Sequence, residues 1–164
     1  MINFLGRRTG DDFSAGPVPG CQRRRGRHGR PGRRLRTRAG TDVTLVALAA
    51  TVPLALAAAG RLAAEGISAE VVDLRCLVPL DMRTVLASVG RTSRLVIVEE
   101  NPYQGGWGGT VAPVVADEGF ELLDAPISRV AAACVPLPFA DALEQQVIPT
   151  ADAVAAAARG LAAY

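Results

Sequence analysis

A short β-branched run leads into a glycine-rich corner between residues 95 and 109. The run at residues 96–98 is Val-Ile-Val, which is typical of a strand buried on both faces in a parallel sheet. Two acids, Glu99 and Glu100, follow at its carboxyl end, where open α/β sheets form their binding crevices. The sequence therefore predicts that a candidate site lies at this edge of a sheet.

The corner itself combines glycines with one tryptophan: Gly105, Gly106, Trp107, Gly108 and Gly109. Glycine allows tight turns and close approach of backbones, and backbone N–H groups at a helix N-terminus bind anions. Two interpretations stay open, a candidate interface loop against which another domain or subunit packs and a phosphate cradle. The corner is not GxGxxG, and without lysine the chain has no GxxxxGK[ST], so packing is favoured.

The acids that precede the corner do not suggest catalysis. Neighbouring residues on a strand point to opposite sides, so Glu99 and Glu100 should not converge on one substrate. We expect one of them to cap the following turn or to pair with an arginine. Cys76 lacks a histidine partner for nucleophilic chemistry, because His28 is the single histidine and lies near the amino terminus.

Apolar periodicity predicts strands alternating with helices, hence an α/β fold in three α/β/α layers around a five-stranded, mostly parallel mixed sheet. The predicted strands are residues 34–39 (an edge strand showing arginines to water), 43–48, 69–74, 95–99 and 127–132. The predicted helices are residues 51–65, 82–90, 110–118, 141–146 and 151–161, with Thr51, Asp81 and Thr150 as N-caps and Gly66 and Gly90 as stops. We also expect an Asp73–Arg75 ion pair to hold the loop between the second helix and the strand before it.

Charge divides the chain into two parts. Residues 1–38 hold eleven arginines and two acids, which leaves seven arginines and fourteen acids for residues 39–164. Residues 1–32 are therefore predicted to be a disordered Arg/Gly/Pro-rich tail, and residues 33–164 to form one domain. The tail could bind nucleic acid, but it has no aromatic residue between Phe13 and Arg38 and no folded groove, so we do not favour this function. Translation of a GC-rich gene in the wrong reading frame would also produce an Arg/Gly/Pro-rich sequence like that of residues 1–32.

Cysteine usage gives no metal site. Cys21, Cys76 and Cys134 are odd in number and far apart, which argues against zinc and favours a cytoplasmic protein. Residues 44–60 are uncharged but short, and they contain Thr51 and Pro53, so a strand, a turn and a buried helix explain them better than a membrane span. No signal peptide is predicted at the amino terminus.

Several stretches, in this order and spacing, resemble one known family. They are Gly40-Thr41-Asp42-Val43-Thr44-Leu45-Val46, Glu70-Val71-Val72-Asp73-Leu74-Arg75 with Pro79-Leu80-Asp81, Glu99-Glu100 with Gly105-Gly106-Trp107-Gly108, Asp124-Ala125-Pro126-Ile127, Val135-Pro136-Leu137-Pro138-Phe139-Ala140, Leu143-Glu144 and Ile148-Pro149. The set is similar to the transketolase C-terminal domain family, in particular to the β subunit of thiamine-diphosphate-dependent 2-oxo acid dehydrogenases of the pyruvate and branched-chain type.

The resemblance implies an assembly domain and part of a larger β subunit. In that family a preceding domain helps to bind thiamine diphosphate and carries the catalytic histidine, and residues 1–32 match none of it. The resemblance thus assigns no catalytic, cofactor-binding or metal residue to this chain, while thiamine diphosphate and Mg²⁺ belong to the parent complex. The implied partners are a sister β subunit, an α subunit and a dihydrolipoyl acyltransferase.

Overall fold

The structure, a computed structural model, describes residues 35–164; the predicted tail at residues 1–32 lies outside the described residues. The strands are β1 Leu35–Arg38, β2 Val43–Ala47, β3 Ala69–Asp73, β4 Leu95–Pro102 and β5 Ser128–Ala132. The helices are α1 Thr51–Ala64, α2 Met82–Thr92, α3 Gly108–Glu118, α4 Asp141–Val147 and α5 Ala151–Ala162, and a single 3₁₀ turn covers Phe120–Leu122.

The strands form one mixed sheet in the order β1-β3-β2-β4-β5. The four strands β2 to β5 run parallel, and β1 joins the edge antiparallel to β3. All five residues of β2 are buried, because this central strand is covered by helices on both faces. The predicted five-stranded mixed sheet is confirmed, and the alternating arginines do form its edge strand.

Helices cover both faces of the sheet, as predicted. On one face, α1 and α5 pack their alanines and leucines on alternate residues of β2, β3 and β4. On the other face, α2 and α3 pack on the intervening residues of the same strands. The helices that follow β2 and β4 therefore lie on opposite faces of two neighbouring strands, which defines the switch point of a doubly wound sheet.

The predicted cap at Thr51 is wrong. Thr51 is the first residue of α1, Ala50 holds the cap position, and no side chain caps the helix. The Thr51 hydroxyl instead accepts from the Leu48 amide at 3.1 Å and lies 2.9 Å from the Val98 carbonyl oxygen, to which it can donate. The tight turn after β2 brings this side chain within reach of β4, and the contact with the neighbouring strand replaces the local cap.

Three other element ends also differ from the prediction. Strand β4 runs to Pro102 rather than ending at residue 99. Helix α2 continues past Gly90 to Thr92 and ends at Ser93, which adopts a left-handed φ of 53° and donates its amide to Val89 O. The two additional residues bring the buried Thr92 hydroxyl to 2.7 Å from the Thr44 hydroxyl of β2. Helix α3 begins at Gly108 rather than residue 110, because Glu99 captures its first amide, as described below.

The predicted caps at Asp81 and Thr150 and the predicted stop at Gly66 are confirmed, and the ends of α1, α4 and α5 lie within one residue of the prediction. Asp81 accepts from the Thr84 amide at 3.1 Å, and Thr150 accepts from the Ala153 amide at 3.2 Å. Gly66 ends α1 with a φ of 83°, a conformation that glycine adopts without strain. The predicted Asp73–Arg75 ion pair is also present, with 3.2 Å between its nitrogen and oxygen atoms.

A hydrogen-bonded carboxylate fixes the turn between β1 and β2. Asp42 Oδ2 accepts from the Ser68 amide at 2.7 Å, and Oδ1 accepts from the Thr41 hydroxyl at 2.8 Å. These two hydrogen bonds, with help from the charge of Arg94, hold the pKa of Asp42 below its ordinary value. The carboxylate form therefore stabilises the native turn.

This lowered pKa predicts a pH-dependent contribution to stability. Asp42 should stabilise the fold above its unfolded pKa of about 3.9, and the contribution should vanish as the pH falls through its lower native value. We expect Asp42→Asn to lower the free energy of unfolding by about 1 kcal/mol at neutral pH. Urea titrations at neutral pH and near pH 3 would measure the difference. An equal loss at both pH values would contradict the assignment.

Candidate functional site

A buried carboxylate lies at the carboxyl end of β4. The Glu99 side chain is fully buried, whereas the neighbouring Glu100 is exposed, in line with the prediction that the two acids point to opposite sides. A buried carboxylate is costly unless charged and hydrogen-bonded partners surround it. The partners of Glu99 therefore decide what this corner can do.

The Glu99 carboxylate connects three elements of the fold. Its Oε2 atom accepts, at 2.8 Å, from the amide of Gly108, the first residue of α3. Its Oε1 atom accepts from Arg129 Nε at 2.9 Å and also from Arg129 Nη2. Arg129 lies on β5, where it pairs with Ile97 of β4. Glu99 follows Ile97 by two residues on the same face, so the two charged side chains meet.

Arg129 extends this network to the surface. Its side chain is only 10% exposed, and its Nη2 atom also donates to the Tyr103 carbonyl at 2.9 Å. The guanidinium carbon lies 4.2 Å from the centroid of the Tyr103 ring, a cation–π contact. Tyr103 itself is exposed. The buried ion pair thus supports an aromatic side chain that faces outward.

The corner glycines make room for this carboxylate. A Cβ atom on Gly106 or on Gly108 would overlap the Glu99 carboxylate, and a Cβ on Gly108 would also lie 2.8 Å from Arg129 Nε. Gly105 adopts a φ of +80°, which L side chains rarely adopt. Gly109 differs, since its nearest neighbour would be Arg129 Nη1 at an ordinary 3.8 Å. Three of the corner glycines are therefore required by the turn or by the buried acid.

The same geometry argues against a phosphate cradle. The Gly108 amide is bound to Glu99, and the next amides, from Gly109 and Thr110, donate to the carbonyls of Gly106 at 3.0 Å and Trp107 at 2.9 Å. An anion at this helix N-terminus would therefore find its donors engaged and a carboxylate in its place. Trp107 is half-buried and packs on the core beneath α3, so it also serves the internal structure.

At the switch point too, the polar groups bond to one another. The Thr51 hydroxyl bridges the ends of β2 and β4 at the Val98 carbonyl. Beside it lies an open cavity of about 380 Å³, lined by Leu48, Ala49, Val52, Pro53, Asp73 and Arg75. Its two charged residues pair with each other. Cys76 is not among the residues that line the cavity, and its sulfur lies 2.8 Å from the Val78 carbonyl oxygen.

Sequence reasoning missed two charged residues that the fold brings into buried networks. Arg129, the partner of Glu99, has no local signal except that it interrupts an otherwise uncharged strand. Glu70 of β3 is likewise buried, accepts from Ser88 Oγ at 2.8 Å and pairs with Arg91, while its Oε2 atom has no partner. Its available signal was an acid placed before the apolar pair Val71-Val72 inside β3, whereas Asp73, the other acid of the strand, lies at the strand end.

Two kinds of feature, a metal-binding cluster and a membrane-spanning helix, are absent from residues 35–164. Across that described range, no cluster of at least three His, Cys, Asp or Glu side chains is placed to hold a metal ion. Likewise, none of the helices described there has the length and hydropathy required to span a bilayer.

These features define a doubly wound α/β domain whose polar groups at the carboxyl edge of the sheet bond to one another. The chain belongs to the transketolase C-terminal domain family, since the model of that family, "Transketolase, C-terminal domain", matches residues 32–154. The fold class and the family expected from the sequence are both confirmed.

The similar curated proteins are β subunits. The chain is 48% identical over 122 residues to the pyruvate dehydrogenase E1 component subunit beta-2, mitochondrial, of Oryza sativa subsp. japonica, covering 74% of this chain and 32% of the relative. It is 45% identical over 117 residues to the acetoin:2,6-dichlorophenolindophenol oxidoreductase subunit beta of Bacillus subtilis, covering 71% of this chain and 34% of the relative. The chain thus spans about a third of the length of these relatives.

A solved structure agrees with the curated relatives. The chain matches a protein described as "Split gene transketolase, inactive beta4 tetramer" with a TM-score of 0.71 and 36% sequence identity. The match covers 82% of this chain and 43% of that chain. It confirms the fold, and again the match is to part of a longer chain.

Proposed function

We propose that this chain is the C-terminal assembly domain of the β subunit of a 2-oxo acid dehydrogenase, in its decarboxylating component of the pyruvate dehydrogenase type. The support is the family match over residues 32–154 together with β-subunit relatives of which the chain spans about a third. The parent reaction is the oxidative decarboxylation of a 2-oxo acid with transfer of the acyl group to a lipoyl arm. The partners we propose are a sister β subunit, an α subunit and a dihydrolipoyl acyltransferase.

The buried Glu99 network supports a structural role for the glycine corner in this proposal. Glu99 and Arg129 satisfy each other and the first amide of α3, so the corner is rigid and its polar groups are not free for a substrate. We propose that the residues facing inward (Glu99, Gly106 and Gly108) hold the shape of the interface loop. The residues facing outward, Glu100, Tyr103, Gly105 and Gly109, would then meet the partner. Rigid aromatic anchors of this kind are common at protein interfaces.

Thiamine diphosphate belongs, in this proposal, to regions of the parent complex outside this domain. The observation that supports this is the α3 N-terminus, where the first amide donates to Glu99 and is not free for a diphosphate. We therefore propose that the chain alone is not catalytic. A cytoplasmic location is also proposed, from the number and spacing of the cysteines, although some relatives are named as mitochondrial.

The assembly function includes self-association in this proposal, and the β4 tetramer of the split-gene transketolase supports it. Sedimentation velocity of the purified chain over a wide range of concentrations tests this property. We expect a reversible shift from monomer to a larger species as the concentration rises. A chain that stays monomeric at every concentration would contradict self-association.

A further inference from the structure

We propose that an apolar strip after β5 is the surface through which two copies of this chain associate, an inference that rests on the proposed assembly function. The strip consists of Val135, Leu137, Phe139 and Leu143, which are 50%, 62%, 103% and 52% exposed. It begins in the loop that follows β5 and ends in α4. It therefore lies at the carboxyl edge of the sheet, as does the glycine corner.

The sequence of the strip keeps it apolar and stiff. Residues 130–140 contain no charged side chain, and Pro136 and Pro138 alternate with the apolar residues. Each proline fixes its own φ and holds the residue before it in an extended conformation. The segment therefore loses little conformational entropy when it is covered, which favours binding.

The apolar area that the strip exposes is large enough for a protein interface. A Phe, Tyr or Trp side chain covers roughly 150–250 Å² and aliphatic side chains cover somewhat less, so the four strip residues at their exposed fractions present on the order of 500 Å² together. The largest apolar patches of monomeric proteins measure about 300–600 Å² and often mark interaction sites. The strip would also supply more than half of the ~800 Å² that each partner contributes to an interface of standard size.

The charge pattern favours a second copy as the occupant. A two-fold interface places the same patch on both sides, and the four strip side chains carry no charge, so they can face their copies without repulsion among themselves. The outer face of α1 and α5 is different, because it carries the Glu65–Arg159 and Arg61–Asp152 ion pairs. Asp141 and Glu144 border the strip. Added salt should screen these acids and leave the association unchanged or stronger.

Matched phenylalanine variants test the surface. Phe139→Ser removes the most exposed member of the strip, whereas Phe120→Ser removes an aromatic that is 73% exposed in the turn after α3. Because α3 runs back along the parallel sheet, this turn lies at the opposite edge. Both side chains are exposed, so circular dichroism should show both variants folded with unfolding midpoints close to that of the original chain.

Sedimentation equilibrium then separates the outcomes. We expect Phe139→Ser to raise the Kd of self-association at least about tenfold, as for the loss of an interface anchor, and Phe120→Ser to leave it unchanged. If the original chain associates and Phe139→Ser has no effect, or if Phe120→Ser weakens association equally, the strip is not the surface and the assembly function still stands. If the original chain never associates, self-association itself is wrong, and the strip inference falls with it.

Discussion

Replacing Glu99 by glutamine should lower the free energy of unfolding by about 3–5 kcal/mol, the range for breaking a buried ion pair on one side. The Arg129 side chain, 10% exposed, would keep its charge without a counter-charge. The glutamine amide would also place an NH₂ group opposite either the Gly108 amide or the Arg129 guanidinium, both of which are donors. One of these donors would then remain unsatisfied in a buried position.

Urea denaturation measures this loss, and the neighbouring acid provides the control. Glu100→Gln makes the same chemical change on an exposed side chain, so its effect should stay within about 0.5 kcal/mol. Arg129→Met in the Glu99→Gln background should cost less than the sum of the single changes, because the stranded charge is then removed. Similar small losses for Glu99→Gln and Glu100→Gln would show that the buried pair does not hold the corner.

Gly40→Ala should be the second most damaging change, at about 3 kcal/mol. Because β3 lies between β1 and β2 in the sheet, the connection from β1 to β2 crosses the start of β3. There the amides of Thr41 and Asp42 donate to the Ser68 carbonyl at 3.1 and 2.9 Å. A Cβ atom on Gly40 would overlap the main chain of Ala69 and Glu70. Backbone atoms within a sheet cannot move aside without loss of strand pairing.

Gly60 provides a control, because its replacement by alanine should raise the free energy of unfolding instead of lowering it. Gly60 lies on the exposed side of α1, and a Cβ atom there would meet no atom within 4 Å. Gly60→Ala should therefore raise the free energy of unfolding by about 0.5–1 kcal/mol, because alanine favours the helix. Urea denaturation of both variants measures the two effects. A Gly40→Ala variant as stable as the original chain would contradict the close crossing.

Much of this fold follows from local sequence signals. The β-branched run at residues 96–98 predicts a buried parallel strand, and the caps at Asp81 and Thr150 each depend on a residue three positions away. Such signals are available because the interacting groups are close along the chain. The exposure difference between Glu99 and Glu100 follows in the same way from the period of a strand.

The remaining features depend on contacts between distant residues. Thr51 was expected to cap α1, but its hydroxyl reaches Val98, 47 positions away. Arg129 pairs with Glu99 only because the register of β4 and β5 brings them together. The sequence also does not distinguish Gly108, which approaches the buried carboxylate, from Gly109, which does not. The candidate site could be placed from the sequence, but its internal bonding could not.

The central claim is that this domain uses its polar groups to hold its own shape and leaves coenzyme chemistry to the rest of the parent enzyme. Titration calorimetry of thiamine diphosphate with Mg²⁺ into the purified, folded chain tests it most directly. We predict no heat beyond that of dilution. Saturable binding with a micromolar Kd, at a defined stoichiometry to this chain alone, would contradict the claim.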